Sequence, residues 1–587
     1  MAKQWTIQPP FADADRLAAG LGVPPLVAGI LGRRGYDSVE AARAFLKPDL
    51  SQLHPPEAMP GLTEAADRLV AAARDREPII IYGDYDADGI TAAAILWKAL
   101  RLAGADVRVY VPHRIEEGYG LNAEAVEHLA DEGARVLVTV DCGIGGQAEV
   151  ARARDLGLEV IVTDHHEADP DRLPEALAIV NPKLPDSAYP FRDLAGAGVA
   201  MKLAWAIGKA LSGRERVDEP FREFLIAATG LAALGTIADV VPLVGENRVL
   251  ARFGLQALSA SRHPGIAALR EVGRLQGKPI DAYHIGYVLG PRLNAVGRLG
   301  HAGEAVELLT TAGPDAAMDI ARELDRQNRR RRKVEQDILQ EADEQIASTF
   351  SPERDAAIVA AGRGWHTGVI GIVASRLVEK YNRPTVLLGL DGHRAQGSGR
   401  SIPGFHLFQA LAACRDHLTM FGGHTMAAGL RLPADAVGPF REAFLAHAAE
   451  RLGPDDLTPS LKVDAAVDPA HITLETARAL DGLGPFGSGN ARPVFAVRKI
   501  RVVGRPKRIG RRGAHLAMHV TSGGRARRCV GWRVGELADA VGRAGTCGIA
   551  FTCRISTYRP GRPEVELHLK DLWVGAYGDE AAAREFG

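Results

Sequence analysis

The sequence predicts a multidomain α/β protein with a parallel-sheet domain, a long connecting helix, a second α/β domain and a C-terminal β-barrel. Three observations support this prediction. Short apolar runs alternate with helical patterns between residues 79 and 164, which is typical of a parallel sheet with helices on both faces. Residues 316–348 contain neither Gly nor Pro and predict one continuous helix. From about residue 460, short alternating strands indicate a small barrel.

Length and composition bound the number of domains and the class of protein. At roughly 100–200 residues per domain, 587 residues predict three or four domains. We divide the chain into segments 1–315, 316–349, 350–456 and 457–587. The hydrophobic fraction of 46% and the charged fraction of 24% are typical of globular proteins. Because the net charge is −1, any nucleic-acid surface must come from local clustering of basic residues.

Cysteine usage and hydropathy indicate the compartment. The five cysteines form no CxxC pair, which disfavours a zinc knuckle or a disulfide framework and fits a reducing compartment. The first residues, MAKQWTIQPP, lack the apolar core of a signal peptide. The sequence contains no run of about 18 apolar residues, so it predicts no membrane span. We therefore expect a cytoplasmic protein without a membrane segment.

Each domain is predicted from its own run of elements. Residues 1–75 show helical patterns interrupted by Pro. The parallel sheet is predicted from four apolar runs with helical patterns between them, at 79–82, 107–111, 136–141 and 159–164. The chain then turns helical over about 194–258. The second α/β unit is predicted from strands at 356–361 and 384–390 and from helices at 369–381, 404–413 and 434–452.

The strongest local signal is an acidic loop, GDYDADG, that follows the first strand of the parallel sheet. Asp84, Asp86 and Asp88 lie within five residues, at a carboxyl end of the sheet, where ligands bind in open α/β folds. Packed carboxylates repel one another unless a cation compensates, and a hard divalent ion does so. An N-cap followed by a solvated acidic turn is the structural alternative. An EF-hand is disfavoured because the downstream Glu ligand pattern is absent.

The acidic pattern recurs at other strand ends. Asp141 ends VLVTVD, and Asp164 ends EVIVTD directly before His165 and His166. Asp239 lies in the nearly apolar run TIADVV, where a buried carboxylate needs a cationic partner. Mixed Asp and His ligands fit Mn²⁺, with Mg²⁺ as an alternative. Two such ions about 3.5–4 Å apart would serve an in-line displacement, so the residues point to phosphoryl chemistry.

Several motifs together resemble the DHH family of phosphoesterases. GDYDADG, VDCG and TDHH resemble the family's catalytic signatures, and GGHTMAAG (422–429) resembles its DHH-associated substrate domain. Further segments extend the likeness from about residue 45 to near the C-terminus; they are GWHTGVIGIVASRL (364–377), SGRSI (398–402) and LGPFGSGNARPVF (483–495). The combined pattern is similar to the branch of bacterial single-strand-specific 5′→3′ DNA exonucleases.

The resemblance implies a role for each member of the cluster. Asp86 would bind one metal ion and Asp88 the other, and Asp141 would bridge the two. His165 and Asp239 would complete the second site. Asp84 would support the metals, and His166 would contact the scissile phosphate. The chain departs from the pyrophosphatase branch at Tyr82, where that branch has a metal-binding His, so Asp84 or water is expected to fill this place.

A second set of residues is expected to hold the nucleic-acid strand. The glycines of GGHTMAAG would let backbone N–H groups approach a phosphate, although tight helix packing is the structural alternative. Arg suits phosphate because its planar fork donates two hydrogen bonds. The candidates in the second α/β domain are Arg376, Ser398, Arg400, Ser401, Gly422, Gly423 and His424. In the first domain they are Arg292, Asn294 and Arg298, for which a structural loop is an equal alternative.

Basic residues also cluster elsewhere. The C-terminal module carries Arg498, Lys499, Arg501, Arg505, Lys507, Arg508, Arg511, Arg512, Arg525, Arg527 and Arg528. This density suits a groove that follows a phosphate backbone, and the resemblance implies a barrel of the OB type. A solvated basic face is the alternative. The run 329–333 on the long helix is either a solvated face or a nucleic-acid contact.

The resemblance implies a metal-dependent exonuclease that releases 5′-mononucleotides from single-stranded DNA, in DNA repair and recombination. Single-stranded DNA is the expected substrate. A single-strand-binding protein and a RecQ-type helicase are the expected partners, and the protein is expected to be a monomer. One alternative is a family phosphoesterase that acts on short oligonucleotides or nucleotide bisphosphates. Another is a non-catalytic single-strand-binding scaffold, which the intact set of acidic residues disfavours.

Overall fold

The computed structural model describes residues 3–113, 117–118, 120–556 and 563–578. The chain forms two compact units. One consists of Pro48–Val334 with Pro485–Ala491, and the other of Met1–Lys47, Glu335–Gly484 and Arg492–Gly587. Residues 1–47, which the sequence-based division groups with the parallel-sheet domain, therefore belong to the unit that contains the two C-terminal domains.

The N-terminal segment contains a strand as well as helices. Its elements are β1 (Gln4–Ile7), α1 (Ala14–Leu21), α2 (Pro25–Arg33) and α3 (Val39–Leu46). The helical prediction for residues 1–75 is wrong at β1. Trp5 in this strand stacks on Tyr577 with ring centroids 4.0 Å apart, so a long-range contact rather than local pattern determines its conformation.

The first unit is built on a parallel sheet, as predicted, but the sheet has five strands rather than the four that were predicted. Its elements are α4 (Leu62–Asp75), β2 (Ile79–Gly83), α5 (Ala87–Leu102), β3 (Val107–Tyr110), α6 (Ala123–Asp131), β4 (Val136–Val140), α7 (Gln147–Asp155), β5 (Glu159–Thr163) and β6 (Ala178–Val180). The strand order is β3-β2-β4-β5-β6. All five residues of β2 and of β4 are buried, because helices cover both faces of the sheet. The short strand β6 was not predicted.

Helices complete this unit. They are α8 (Gly196–Ser212), α9 (Glu219–Ala238), α10 (Gly245–Ala260), α11 (Pro264–Val272), α12 (Ala282–His284), α13 (Gly290–Leu299) and α14 (Gly303–Thr310), with a π-helical turn at Ile285–Leu289. Among the described helices, α9 is long and apolar enough to cross a membrane by composition, and 61% of its apolar window is buried within the protein. It packs against α5, α8 and α10, as a core helix does.

The predicted connecting helix is confirmed as α15 (Pro314–Thr349), a continuous element of 36 residues. Its apolar positions Ala317, Ala321 and Leu324 are fully buried in the core of the first unit. Their spacing of three to four residues is that of one helix face. The other faces of the helix are rich in charged residues.

The second α/β domain has a mixed sheet. Its elements are β7 (Ile358–Arg363), α16 (Thr367–Tyr381), β8 (Thr385–Asp391), β9 (Arg394–Arg400), α17 (Leu407–Ala413), β10 (Met420–Gly423), β11 (Ala427–Pro433), α18 (Val437–Ala449) and α19 (Pro454–Leu457). The order is β10-β11-β9-β8-β7, in which β7 and β8 are parallel and the other neighbours antiparallel.

The C-terminal domain is a closed barrel, as predicted. Its elements are β12 (Ser460–Val463), β13 (Ala465–Ala466), α20 (Leu474–Asp481), β14 (Phe495–Ile509), β15 (His515–Thr521), β16 (Arg527–Gly531), α21 (Ala538–Ala544), β17 (Thr546–Ser556) and β18 (Glu564–Val574). The order β14-β15-β16-β18-β17 is closed by pairing of β17 with β14. Strand β12 pairs in parallel with β1.

Candidate functional site

The acidic loop between β2 and α5 is shaped by its own carboxylates. Asp86 is the N-cap of α5, and its Oδ1 accepts hydrogen bonds from the backbone N–H groups of Asp88 (2.8 Å) and Gly89 (3.1 Å). The sequence-based alternative of an N-cap is therefore right for this residue. It does not replace the metal interpretation, because Asp84 and Asp88 are buried beside it, and a solvated acidic turn would expose them.

Asp88 is held by the start of another helix. Its Oδ2 accepts from the N–H of Gly196 at 2.6 Å, and its Oδ1 accepts from the N–H of Ala197 at 2.9 Å. These are the first residues of α8, where unsatisfied N–H groups and the helix dipole stabilise a negative charge. A Cβ at Gly235 would lie 2.4 Å from Asp88 Oδ1, so the facing helix α9 needs glycine there.

Asp141 lies directly after β4, at the centre of the cluster. Its φ is +63°, a left-handed conformation that Asp tolerates better than most residues, and its side chain is 2% exposed. A Cβ at Gly196 would lie 2.7 Å from its carboxylate oxygen. The small residues that begin α8 were not singled out in the sequence, although the run GAGVA at a helix start was the available signal.

The two histidines after β5 have different surroundings. His165 is buried, and its Nε2 lies 3.0 Å from Asp141 Oδ1 and 3.7 Å from oxygens of both Asp88 and Asp239. Burial, aided by the charge of His166, lowers the pKa of His165 to about 3. His165 is therefore neutral near pH 7, which is the form that ligates a metal ion.

His166 is oriented by Asp164. Its Nδ1 lies 2.7 Å from Asp164 Oδ1, and that carboxylate also accepts from the backbone N–H groups of His165 and His166. Burial alone lowers the pKa of His166, but the hydrogen bond and charge of Asp164 outweigh it and raise the pKa to about 9. His166 is thus a cation near pH 7. The sequence marked Asp164 as a strand-end acid but assigned it no role.

Asp239 completes the cluster from the C-terminal end of α9. Burial and the charge of Asp86 raise its pKa to about 7. The pKa values of Asp88 and Asp141 also lie well above the usual range, through burial and then the charges of neighbouring carboxylates. Such a cluster repels itself when ionised, so a divalent cation would be strongly favoured there.

The ligand atoms fall into three groups, each with atoms within 4.8 Å of one another. They are Asp84 with Asp86 and Asp141, Asp88 with His165 and Asp239, and Asp141 with His165 and His166. Asp141 belongs to two of these groups, and its neighbour His165 belongs to two as well. Buried carboxylates with neutral imidazole suit Mn²⁺ or Mg²⁺, so the residues present fit a pair of such ions.

The contacts of Tyr82 and Asn294 show whether Tyr82 lies among the candidate ligands and what Asn294 holds in place. The Tyr82 hydroxyl donates to the Gly120 carbonyl at 3.1 Å, and the ring lies in the core, whereas Asp84 lies among the candidate ligands. Asn294 Oδ1 accepts from the N–H of Ala87 at 2.6 Å, so it supports the acidic loop. The segment that contains Asn294 is helix α13 rather than a loop.

Two arginines near Asn294 have different surroundings. Arg292 pairs with Asp325 at 2.8 Å and donates to the carbonyl of Val288, which is an internal arrangement. Arg298 is half-buried one turn further along α13. The geometry therefore favours Asn294 and Arg292 as supports of this unit rather than as contacts to a strand.

In the second α/β domain, GGHTMAAG forms a β-hairpin, and the helix-packing alternative is wrong. Gly422 of β10, Gly429 of β11 and Ser398 of β9 are register partners and so lie in one row across the sheet. Within the described chain, a Cβ at Gly422 would meet no atom within 4 Å. Gly423 has φ +139° and lies with His424 at the exposed tip. The row is thus an open strip where backbone can approach a ligand.

The remaining candidates of this domain differ in how far their side chains are free to contact a substrate. Arg400 lies at the end of β9 and donates to Ser398 Oγ at 2.9 Å. Arg376 is half-exposed on α16 and pairs with Glu335 at 2.5 Å. The Ser401 hydroxyl is buried and donates to the Phe405 carbonyl at 2.7 Å, an arrangement that favours loop support over substrate contact.

The barrel displays most of its basic residues. Ten of the eleven are exposed, namely Arg498, Lys499, Arg501, Arg505, Lys507, Arg508, Arg511, Arg512, Arg525 and Arg528. Arg527 is half-buried and donates to the Ile472 carbonyl. Strand β14 carries six of them, so the positive charge is concentrated along one strand of the barrel, as a backbone-binding surface requires.

Three family models match consecutive parts of the chain. The DHH family, N-terminal domain, matches residues 78–234, the DHHA1 domain matches 354–450, and the RecJ OB domain matches 463–571. The first match contains every member of the metal cluster except Asp239. The second contains the hairpin formed by GGHTMAAG, and the third contains the barrel except for the last three residues of β18.

Relatives match nearly the whole chain. The single-stranded-DNA-specific exonuclease RecJ of Bacillus subtilis is 39% identical over 580 residues, which are 98% of this chain and 71% of the relative. The crystal structure of RecJ from Thermus thermophilus in complex with Mn²⁺ aligns with a TM-score of 0.82 at 32% identity, over 97% of this chain and 79% of that one. The Mg²⁺ complex of the same protein aligns with a TM-score of 0.76 at 30% identity, over 97% and 78%.

Proposed function

Because the chain belongs to the RecJ family of the DHH phosphoesterases, we propose that it is a metal-dependent exonuclease specific for single-stranded DNA. It hydrolyses phosphodiester bonds from the 5′ end and releases 5′-mononucleotides. Two divalent cations take part, with Mn²⁺ preferred over Mg²⁺. Named relatives, and solved RecJ structures in complex with either ion, support the proposal.

The observation that carries the proposal is the convergence of the acidic loop, the ends of β4 and β5, and the end of α9. Asp84, Asp86 and Asp141 would hold one cation, and Asp88, His165 and Asp239 the other. Asp141 would bridge the pair, since its Oδ1 also lies 3.0 Å from His165 Nε2. When bound, the cations would supply activation of water and neutralisation of charge on the leaving oxygen.

The protein's own groups would orient the reaction. His166, kept protonated by Asp164, would donate to a non-bridging oxygen of the scissile phosphate and stabilise its developing charge. The N–H groups of Gly196 and Ala197 fix both oxygens of Asp88, so this carboxylate needs little reorganisation. Burial of the cluster excludes bulk water and strengthens these electrostatic interactions.

Residues outside the cluster would select the substrate. We assign phosphate contacts to the open strip and its neighbours, namely Ser398, Arg400, Gly422, Gly423 and His424, and to Arg298 and Arg376. Arg292, Asn294 and Ser401 would act one step further away, by holding the elements that present these contacts. The basic barrel would follow the phosphate backbone of a longer strand, which a phosphoesterase for dinucleotides does not need.

The cellular setting follows from this activity. A cytoplasmic role in DNA repair and recombination fits an enzyme that removes single strands, and the protein would act as a monomer. A single-strand-binding protein would present the substrate, and a RecQ-type helicase would generate it from duplex.

Digestion of 5′-labelled and 3′-labelled single strands in Mn²⁺ and in Mg²⁺, with duplex as the control, tests the proposal. We expect immediate release of labelled mononucleotide from the 5′-labelled strand, delayed release of label from the 3′-labelled strand, and an intact duplex. Preference for dinucleotides over long strands would instead support the short-oligonucleotide activity. Binding without cleavage in either metal would support the scaffold alternative.

A further inference from the structure

An exposed pair of aromatic rings lies at the edge of the first unit, outside the cluster. Tyr283 and Tyr287 are stacked, with ring centroids 4.8 Å apart and an interplanar angle of 26°. Their exposed fractions are 61% and 64%, which is unusual for tyrosine rings with a large apolar surface. Each ring uses one face against the other, and Tyr283 also makes an edge contact with His284, with ring centroids 6.0 Å apart. The high exposed fractions show that much of both rings is open to solvent.

The local backbone presents this pair outward. Ile285 and Leu289 are fully buried, whereas Tyr287 lies between them on a π-helical turn. Such turns are rare and are frequent at functional sites. Within the described chain, no atom lies within 4 Å of a Cβ built at the exposed Gly286. The surface next to the rings is therefore open at Gly286.

Positive charge lies beside the rings. Arg332 of α15 is exposed, and its Nη2 donates to the Tyr287 carbonyl at 3.3 Å. Arg329, Arg330 and Lys333 on the same stretch of helix are also exposed, and Arg329 pairs with Asp325. Stacked aromatic rings beside exposed cations are the combination that binds bases and phosphates of a single strand.

The stacked tyrosines lie close in sequence to a helix that packs beside the metal cluster. Gly290, three residues after Tyr287, faces α9, where its Cβ would lie 3.2 Å from that of Ala238. Ala238 immediately precedes the candidate ligand Asp239. Three helical residues span roughly 4.5 Å along a helix axis, so the rings lie close to the helix turn that packs against the end of α9.

We propose that Tyr283, Tyr287 and Arg332 form an accessory binding site for single-stranded DNA, in which bases stack on the outer ring faces and Arg332 contacts a phosphate. This inference rests on the proposed exonuclease function and adds a strand-holding surface to it. The exposed residues of the run 329–333 would then contact nucleic acid, which is one of the two roles that the sequence left open for this run.

The test is binding of a fluorescent oligothymidine to the metal-free full-length protein, so that hydrolysis plays no part. Loss of one stacked base weakens binding by about tenfold, and the alanine double variant removes both rings, so we expect a Kd at least about tenfold weaker for Tyr283→Ala/Tyr287→Ala. Tyr283→Phe/Tyr287→Phe keeps the rings and should bind as wild type does. Arg332→Ala should reduce the slope of log Kd against log salt concentration by about one. Arg322→Ala, which removes an exposed arginine on the same helix, should leave this slope unchanged.

Equal binding by the alanine double variant and wild type would overturn the site. Weak binding by both the alanine and the phenylalanine variants, with altered thermal unfolding, would also overturn it, because stacking would not be the cause. Failure of the proposed exonuclease function can be distinguished from failure of this binding site. In that case wild type would cut neither strands nor dinucleotides in Mn²⁺, whatever the binding result.

Discussion

Gly196 is the position where a single methyl group should disable the metal cluster. It begins α8, and its N–H holds Asp88 while its Cα faces Asp141. In Gly196→Ala the new Cβ would lie 2.7 Å from Asp141 Oδ1 and 2.8 Å from Cγ. Ordinary contact begins at 3.4 Å, so the carboxylate must retreat by about 0.7 Å.

The consequences of this shift can be estimated. Overpacking of a buried site costs about 1–3 kcal/mol of folding free energy. Metal–ligand distances tolerate deviations of only about 0.2 Å, and a misplacement of about 1 Å in an active site can cost about 100-fold in rate. We therefore expect Gly196→Ala to lower kcat by about 30- to 100-fold and to weaken Mn²⁺ binding, with a moderate loss of stability.

The assay is exonuclease activity per folded molecule, with Mn²⁺ affinity from calorimetry and stability from thermal unfolding. Gly208→Ala is the matched control, because it lies on the same helix and its Cβ would lie 2.6 Å from Phe221 Cδ1, away from the cluster. It should lose a similar amount of stability and keep its activity. If Gly196→Ala is as active as Gly208→Ala at a temperature where both are folded, the close packing of α8 on Asp141 is not what shapes the site.

Three further predictions concern the protons and supports of the cluster. The pKa of Asp239 is raised to about 7, so the folded metal-free protein holds a proton that the unfolded chain releases near pH 4. Stability should thus fall as pH rises from about 4 to 7, and thermal unfolding of Asp239→Asn should show a shallower fall. Asp164→Asn removes the charge that keeps the pKa of His166 near 9, so the alkaline limb of the kcat/KM profile should move to lower pH; an unmoved limb would assign it to another group. Asn294→Ala leaves the Ala87 N–H without its acceptor, at about 1–3 kcal/mol, and should lower kcat and Mn²⁺ affinity about tenfold; a change in KM alone would place Asn294 on the substrate.

The parallel sheet was predictable because its strands are buried on both faces and are therefore continuous apolar runs. Asp86, Asp141 and His165 lie within three residues of the ends of such runs, and parallel strands bring their carboxyl ends to one edge. Strand β6 was missed because it has only three residues, Ala178–Val180, and too short a pattern to recognise. The N-terminal strand was missed because its partner, β12, lies more than 450 residues away in the sequence.

The supporting residues were harder to predict. In the sequence, Asn294 is a candidate for phosphate contact. Only the fold shows that its side-chain amide oxygen accepts from the start of α5. Gly196 and Gly235 have no side chain to attract notice, and their importance lies in the space they leave for Asp141 and Asp88. Such contacts join distant segments, so local pattern contains little information about them.

We propose that Asp141 bridges two cations held by four chain segments. Calorimetric titration of the metal-free protein with Mn²⁺ tests it most directly, with Asp141→Asn as the variant, since Asn tolerates the left-handed backbone at this position. We predict two equivalents of Mn²⁺ for wild type and one or none for the variant, with exonuclease activity lost in parallel. A wild type that binds a single Mn²⁺, or a variant that binds two and digests single strands at the wild-type rate, would contradict the account.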